Sequence, residues 1–250
     1  MRIYLAGTES RPYLLENWNK EFKPYVLMSY VYCRNKDIKP ILENAGDVLI
    51  DSGAFTIREK TNKKIEYEEY LEQYADFIVK NNLRKFFELD IDSIVGYEKV
   101  KYYRTKLETL TNRPCIPVWH INRGKEDFIQ TCENYGYVAL GGIASYQDRT
   151  RNKKYIESFP WFIREAHKRN CKIHGLGITE YKTIKRCHFD SVDSTTWLSP
   201  TKYGQPMMFD GKRMVLIQKP PNTKLKHYKG IEEIEFAEWV KFQEYAEEHL

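Results

Sequence analysis

The sequence predicts an α/β protein with a single domain, a (β/α)8 or TIM barrel that carries a basic insertion after its last strand. Two observations lead to this prediction. Short apolar stretches of strand length alternate eight times with amphipathic stretches of helix length along the 250 residues, as is typical of a parallel sheet. Several of the apolar stretches also end in a carboxylate or a glycine, which is how barrel strands deliver site residues to one end.

The predicted strands are short apolar runs that end in turn-forming or polar residues. They cover residues 3–7, 26–30, 48–51, 86–90, 116–120, 138–141, 172–175 and 189–193. The predicted helices have apolar residues at helical spacing. They cover residues 11–22, 38–45, 67–81, 97–110, 125–135, 155–170, 180–187 and 231–248. No linker or low-complexity tract interrupts this order, so we expect one domain over residues 1–250.

Composition restricts the class of protein. The net charge of +5 permits a polyanionic partner without requiring one. Five cysteines without regular spacing indicate reduced thiols and a cytoplasmic location. The apolar start at residues 1–7 is too short for a signal peptide, and we expect no membrane-spanning segment.

The segment 199–230 departs from the alternation of strands and helices. From Thr201 to Gly230 it contains seven Lys or Arg residues and one acid, Asp210. Because it follows the last predicted strand, we expect it to lie beside the site and to bind nucleic-acid phosphates; a solvated surface loop is the alternative. An apolar run at 214–217 predicts an extra strand within it. The candidate phosphate-binding residues are Lys202, Lys212, Arg213, Lys224 and Lys226.

Three aspartates fall at or near predicted strand ends, namely Asp51, Asp90 and Asp193. In a barrel they would converge, although an aspartate before a turn is often only a capping residue. Strand side chains alternate between faces, so Asp190 and Asp193 should point in opposite directions, leaving Asp193 free in a cavity. Carboxylates from different strands suit the cleavage of a glycosidic bond, in which one attacks the sugar carbon and another handles the proton.

Other residues near strand ends allow more than one interpretation. Gly141-Gly142 and Gly175-Leu176-Gly177 would let the backbone approach a flat ligand or a phosphate, but strand ends are rich in glycine in general. His120 either bonds a ligand or packs in the core. Asp90-Ile91-Asp92 could hold Mg²⁺, yet no third ligand is placed by spacing.

A zinc site is not expected either. Cys171 and His174 would face opposite sides of one strand, and no Cys or His pair has the spacing of a zinc finger. We therefore expect no metal and no other cofactor.

Taken together, these residues resemble the tRNA-guanine transglycosylase superfamily, whose motifs they follow in order from about Asp51 to Thr196. The superfamily motifs that they match are Asp-Ser-Gly-Gly-Phe, the guanine-recognising aspartate segment, Gly-Gly-Leu-Ala, Met-Gly-Val-Gly and Asp-x-Phe-Asp-Cys. The matching stretches in this chain are Asp51-Ser52-Gly53-Ala54-Phe55, Leu89-Asp90-Ile91, Gly141-Gly142-Ile143-Ala144, His174-Gly175-Leu176-Gly177-Ile178 and Asp190-Ser191-Val192-Asp193-Ser194.

The chain also departs from the superfamily pattern. The Cys-x-Cys-x-x-Cys zinc cluster that follows the nucleophile in the family is absent, and no appended RNA-binding domain follows. His120 stands where a glutamine is expected, and Ala54 replaces a glycine. A short, zinc-free form looks more like the branch found in phages and bacteria that exchanges guanine in DNA for a 7-deazaguanine (preQ0-like) base. That branch implies DNA as the partner, and host cytoplasm as the location if the chain is phage-encoded.

The resemblance also implies a role for each site residue. Asp193 would be the nucleophile that forms a covalent glycosyl intermediate, Asp51 the general acid and base, and Asp90 the acceptor for the edge of the guanine. The remaining base-contacting residues would be Ser52, His120, Gly141, Gly142, Gly175 and Gly177. Three alternatives remain open at this point: the same exchange on tRNA, a hydrolytic glycosylase, and a barrel that binds nucleic acid without catalysis.

Overall fold

The structure is a computed structural model that describes residues 1–54, 56–57, 65–141, 149–199, 206–218 and 228–250. Its main element is a curled sheet of seven parallel strands in the order β3-β2-β1-β7-β6-β5-β4. These strands are β1 (Arg2–Ala6), β2 (Tyr25–Ser29), β3 (Asp47–Asp51), β4 (Val118–Trp119), β5 (Tyr137–Leu140), β6 (Lys172–Gly175) and β7 (Ser191–Ser194). The α/β class and the parallel curled sheet are therefore confirmed.

The expected fourth strand, residues 86–90, is reduced to two bridging residues. Phe86 pairs in parallel with Ile50 of β3, and Phe87 pairs with Ile116, just before β4. The Ile116 amide donates to the Phe86 carbonyl oxygen over 2.8 Å. The chain turns soon after Phe87, because the Leu89 carbonyl accepts a hydrogen bond from an amide only two residues later. These bridges lie between the two edge strands of the seven-stranded sheet.

Helices follow most of the strands and pack on the outer face of the sheet. Those of the described residues are α1 (Tyr13–Glu16), α2 (Tyr30–Cys33), α3 (Lys39–Asn44), α4 (Tyr67–Lys80), α5 (Asp92–Val95), α6 (Tyr97–Thr111), α7 (Gly124–Asn134), α8 (Arg149–His167), α9 (Tyr181–Cys187) and α10 (Tyr228–His249). None of these helices combines the length and the apolar character needed to cross a bilayer.

The predicted helix at 11–22 is wrong beyond Glu16, where α1 ends. The two asparagines that follow, Asn17 and Asn19, favour turns over helix. The Trp18 indole instead donates to the Phe22 carbonyl over 2.7 Å and packs against Phe236 of α10. Residues 55–64, whose polar and basic composition predicts a loop over the site, lie mostly outside the described ranges.

Alternation along the strands produces two apolar layers. Outward-facing residues such as Ile3 and Val192 join the large cluster shared with the helices. Inward-facing residues, among them Tyr4, Leu49 and Phe87, form a second cluster on the concave side of the sheet. The polar residues described below lie at the carboxyl ends of the strands, above this inner cluster.

The predicted extra strand at 214–217 is confirmed as β9 (Met214–Leu216), which pairs antiparallel with β8 (Met207–Phe209). This hairpin packs on α10. The Met207 amide donates to Glu235, and the Phe209 ring lies 5.6 Å from that of Tyr245. The hairpin therefore runs along α10 from its first half towards its end.

Candidate active site

Asp193, the predicted nucleophile, lies on the inner face of β7, one residue before the strand ends. Its side chain is mostly buried, and its Oδ1 accepts hydrogen bonds from His174 Nε2 over 3.1 Å and from the Gly177 amide over 3.0 Å. Asp190 points the other way, as predicted, where its carboxylate accepts the Ile173 amide over 2.7 Å. The strand thus uses one aspartate to hold structure and presents the other at the sheet's carboxyl edge.

Asp51 ends β3, which is separated from β7 in the sheet by two strands, β2 and β1. Its Oδ2 accepts hydrogen bonds from the Ser29 hydroxyl over 3.2 Å and from the Gly53 amide over 3.0 Å. Burial, together with repulsion from the carboxylates of Asp90 and Asp193, raises the pKa of Asp51 to about 6. Asp90 and Asp193 therefore both lie close enough to Asp51 to act on its charge. An acid with such a pKa can both donate and accept a proton near neutral pH.

Asp90 and His120 form a hydrogen-bonded pair, with Nε2 2.6 Å from Oδ1. Burial lowers the pKa of His120, but the hydrogen bond and the negative charge of Asp90 outweigh burial, so that this pKa lies above its usual value. The pair therefore combines a hydrogen-bond donor with an acceptor at the carboxyl edge of the sheet.

His120 supplies the third ligand that the sequence could not place beside Asp90 and Asp92. The ligand atoms of Asp90, Asp92 and His120 all lie within 4.8 Å of one another, which is compatible with a divalent cation. Arg123, however, donates to Asp92 Oδ2 over 3.0 Å and already balances that carboxylate. The donor set therefore does not require a metal.

The predicted glycines divide into two groups. Gly177 adopts a φ of +70°, which few other residues adopt, and its amide reaches Asp193. Gly141 lies against His120, since an added Cβ would come within 2.9 Å of the imidazole. Gly175 faces the helix layer instead, where a Cβ would meet Ile178. Gly142 lies outside the described residues.

Ser52 does not join the three acids. It is buried, its Oγ lies 3.5 Å from the Ala54 amide, and its carbonyl accepts a hydrogen bond from the Tyr70 hydroxyl. Its contacts are those of a structural residue that holds the turn after β3.

Lys212 and Arg213 lie at the exposed turn of the β8–β9 hairpin, where both amides donate to Asp210. The ring of Phe209, next to Asp210 in the chain, lies 5.6 Å from that of Tyr245, near the end of α10. That end of the helix contacts the start of β1, because the Met1 amino group donates to the Ala246 carbonyl. The expectation that this part of the basic segment lies beside the acids is therefore wrong. Lys202, Lys224 and Lys226 lie outside the described residues.

Two polar residues near the acids received no role from the sequence. Glu9 follows β1 and is almost fully buried. Burial raises the pKa of its carboxyl group to about 7, although hydrogen bonds from the backbone of Glu9 itself and of Ser29, and the charge of Lys36, act to lower this pKa. Ser29 thus contacts both Glu9 and Asp51. His174 is the other, and its inward direction could have been found from the alternation of β6 opposite Ser191.

No family model matches this chain, and no curated protein does either. The geometry of the site therefore supplies the argument for function.

Proposed function

We propose that the chain is a nucleic-acid guanine transglycosylase that exchanges guanine in DNA for a 7-deazaguanine base through a covalent aspartyl-glycosyl intermediate. The observation that carries this proposal is the meeting of three carboxylates of different character at the carboxyl edge of one parallel sheet. Asp193 is held through one oxygen, Asp51 has a pKa of about 6, and Asp90 is paired with His120.

The proposal includes the finer fold. We infer that the sheet is a complete (β/α)8 barrel in which the bridges at Phe86 and Phe87 mark the fourth strand. Active sites of such barrels lie at the carboxyl ends of the strands. Asp51 on β3 and Asp193 on β7 would then face each other across the same mouth.

The mechanism is a double displacement. The Asp193 carboxylate attacks C1′ of the deoxyguanosine, the C1′–N9 bond breaks, and Asp51 donates a proton to the departing guanine. The 7-deazaguanine enters, its N9–H gives its proton to Asp51, and N9 displaces the Asp193 oxygen from C1′. Asp51 ends in its starting protonation state. The configuration at C1′ is retained because it is inverted twice.

Asp90 and His120 recognise the base. Asp90 accepts from the N–H groups of a guanine-like edge, and His120 fixes its orientation. Since C1′ and N9 are hidden within a stacked duplex, the nucleotide has to turn out of the stack to reach these groups. The choice of DNA over tRNA rests on the resemblance to the zinc-free branch. In the tRNA enzymes the cysteines of the zinc cluster follow the nucleophile, whereas all five cysteines of this sequence precede Asp193.

The decisive assay supplies labelled guanine to the protein together with either duplex DNA or tRNA. We expect label to enter DNA. Label in tRNA alone would move the protein to the tRNA branch. Release of free guanine without incorporation would indicate a hydrolase. If both incorporation and release are absent on both substrates, the proposal that the protein is an enzyme is contradicted.

A further inference from the structure

His174 is an inward-facing residue on β6 that no solvent reaches. The rings of Tyr4, Phe87 and Tyr137 surround its imidazole, with centroids 6.1, 5.3 and 6.3 Å away. A polar ring enclosed in this way is costly unless both nitrogens are hydrogen-bonded. Both are, and the two partners, Asp193 and Ser191, lie on the neighbouring strand β7.

The two hydrogen bonds together determine where the imidazole proton lies. Nε2 lies 3.1 Å from Asp193 Oδ1 and Nδ1 lies 2.7 Å from Ser191 Oγ. A carboxylate can only accept, so Nε2 carries the proton, and Nδ1 accepts from the Ser191 hydroxyl. The Ser191 oxygen in turn accepts from the Tyr137 hydroxyl. Burial raises the pKa of Tyr137, which keeps this hydroxyl a donor.

The donors converge on one oxygen of the nucleophile. His174 and the Gly177 amide both reach Asp193 Oδ1. Within the described parts of the chain, Oδ2 accepts no hydrogen bond. One oxygen is thus held by two donors, and the other is available to attack.

We propose that His174 is a positioning residue for the nucleophile: it holds Oδ1 of Asp193 so that Oδ2 faces the sugar carbon, and the Tyr137–Ser191 chain fixes the tautomer that it needs. This inference rests on the proposed transglycosylase function. It assigns to His174 an effect on the rate of bond formation and none on the binding of nucleic acid, because the buried ring is out of reach of a polymer.

The test compares His174→Phe, which keeps the ring volume without a donor, with His174→Gln, whose side-chain amide can donate at the position of Nε2. The readouts are the rate of covalent adduct formation in a single turnover and the dissociation constant for the same DNA. We expect adduct formation to slow by about 100-fold in the Phe variant, as for a misplaced reactive group. The Gln variant should recover most of that loss. Binding should stay within about twofold in both, by the same argument that positioning affects the reacting step.

Separate outcomes distinguish the two proposals. If wild-type protein forms no adduct, the transglycosylase proposal fails. If wild-type protein forms the adduct and the Phe variant, still folded by its melting temperature, forms it equally fast, His174 has no positioning role. Nitrogen NMR of the His174 ring gives a readout that does not depend on activity. The Nε2–H tautomer supports the chain of donors, and the Nδ1–H tautomer contradicts it.

Discussion

The Ser29 hydroxyl donates a hydrogen bond to Asp51 Oδ2 over 3.2 Å, and this bond offsets part of the effect of burial on the acid. It stabilises the charged form of Asp51, whereas burial and the charges of Asp90 and Asp193 favour the neutral form. The net pKa of about 6 lies above the value of an unfolded aspartate, about 3.9. The folded state therefore holds this proton more tightly than the unfolded state.

This relationship predicts the effect of Ser29→Ala. Loss of the donor should raise the pKa of Asp51 above about 6, which carbon NMR of the carboxyl group can follow. The stability linked to this proton is present at low pH and is lost as pH rises through the folded pKa. The free energy of unfolding, measured with urea, should therefore fall more between pH 5 and pH 8 in the variant than in wild type. Ser10→Ala, at an exposed serine, is the control, and an equal effect of both variants would contradict the account.

A second prediction concerns the buried ion pair beneath the site. Arg104 of α6 donates to both oxygens of Glu88, over 2.7 and 3.1 Å, and both side chains are buried. Arg104→Met leaves the Glu88 charge uncompensated and should lower the free energy of unfolding by about 3–5 kcal/mol. Lys101→Met on the same helix removes an exposed partner of Glu98 and should change stability little. Urea unfolding compares the two, and equal losses would refute the role of the buried pair.

A third prediction is that two pairs of basic residues in the segment 199–230 contribute differently to DNA binding. Lys224 and Lys226 precede Tyr228, which begins α10 near the carboxyl ends of the strands, where Arg11 pairs with Glu232. Replacing both lysines by Ala should weaken DNA binding and lower the slope of log affinity against log salt by roughly 0.7 to 0.9 per lost contact. Lys212→Ala/Arg213→Ala removes the same charge at the distant hairpin turn and should change neither. Equal effects of the two double variants would show that position within the segment is irrelevant.

A further prediction concerns metal. The five cysteines are all buried, and Arg123 already neutralises Asp92 beside His120. Elemental analysis of the purified protein should find no stoichiometric zinc, and treatment with a chelator should leave base exchange intact. About one tightly held metal per chain would point to Asp90, Asp92 and His120 and contradict this prediction.

The sequence predicted those features of the fold and of the site that depend on local periodicity. A period of two was enough to place Asp193 inside and Asp190 outside, because side-chain direction follows from the strand alone. The helix that ends early at Glu16 escaped prediction because Trp18 packs against α10, more than 200 residues away in the sequence. The roles of Glu9 and His174 escaped it because each depends on neighbours from other strands.

The hairpin shows the same limit on a larger scale. Its strand at 214–217 could be predicted from apolar residues, but its direction along α10 could not. That direction depends on contacts of Glu235 and Tyr245 with β8, which no pattern within the segment encodes. The position of the segment after the last predicted strand therefore suggested that Lys212 and Arg213 lie beside the acids, whereas the packing of the hairpin places them at the other end of the helix.

The central claim is that Asp193 forms a covalent bond to the sugar, and trapping the adduct tests it most directly. Wild-type protein, incubated with guanine-containing DNA and then denatured, should carry DNA covalently, as a mass shift or a band of reduced mobility. Asp193→Asn should bind the same DNA, stay folded and form no adduct. Asp190→Asn, three residues earlier on the opposite face, should still form it. An adduct in Asp193→Asn at the wild-type level would remove this residue from the mechanism.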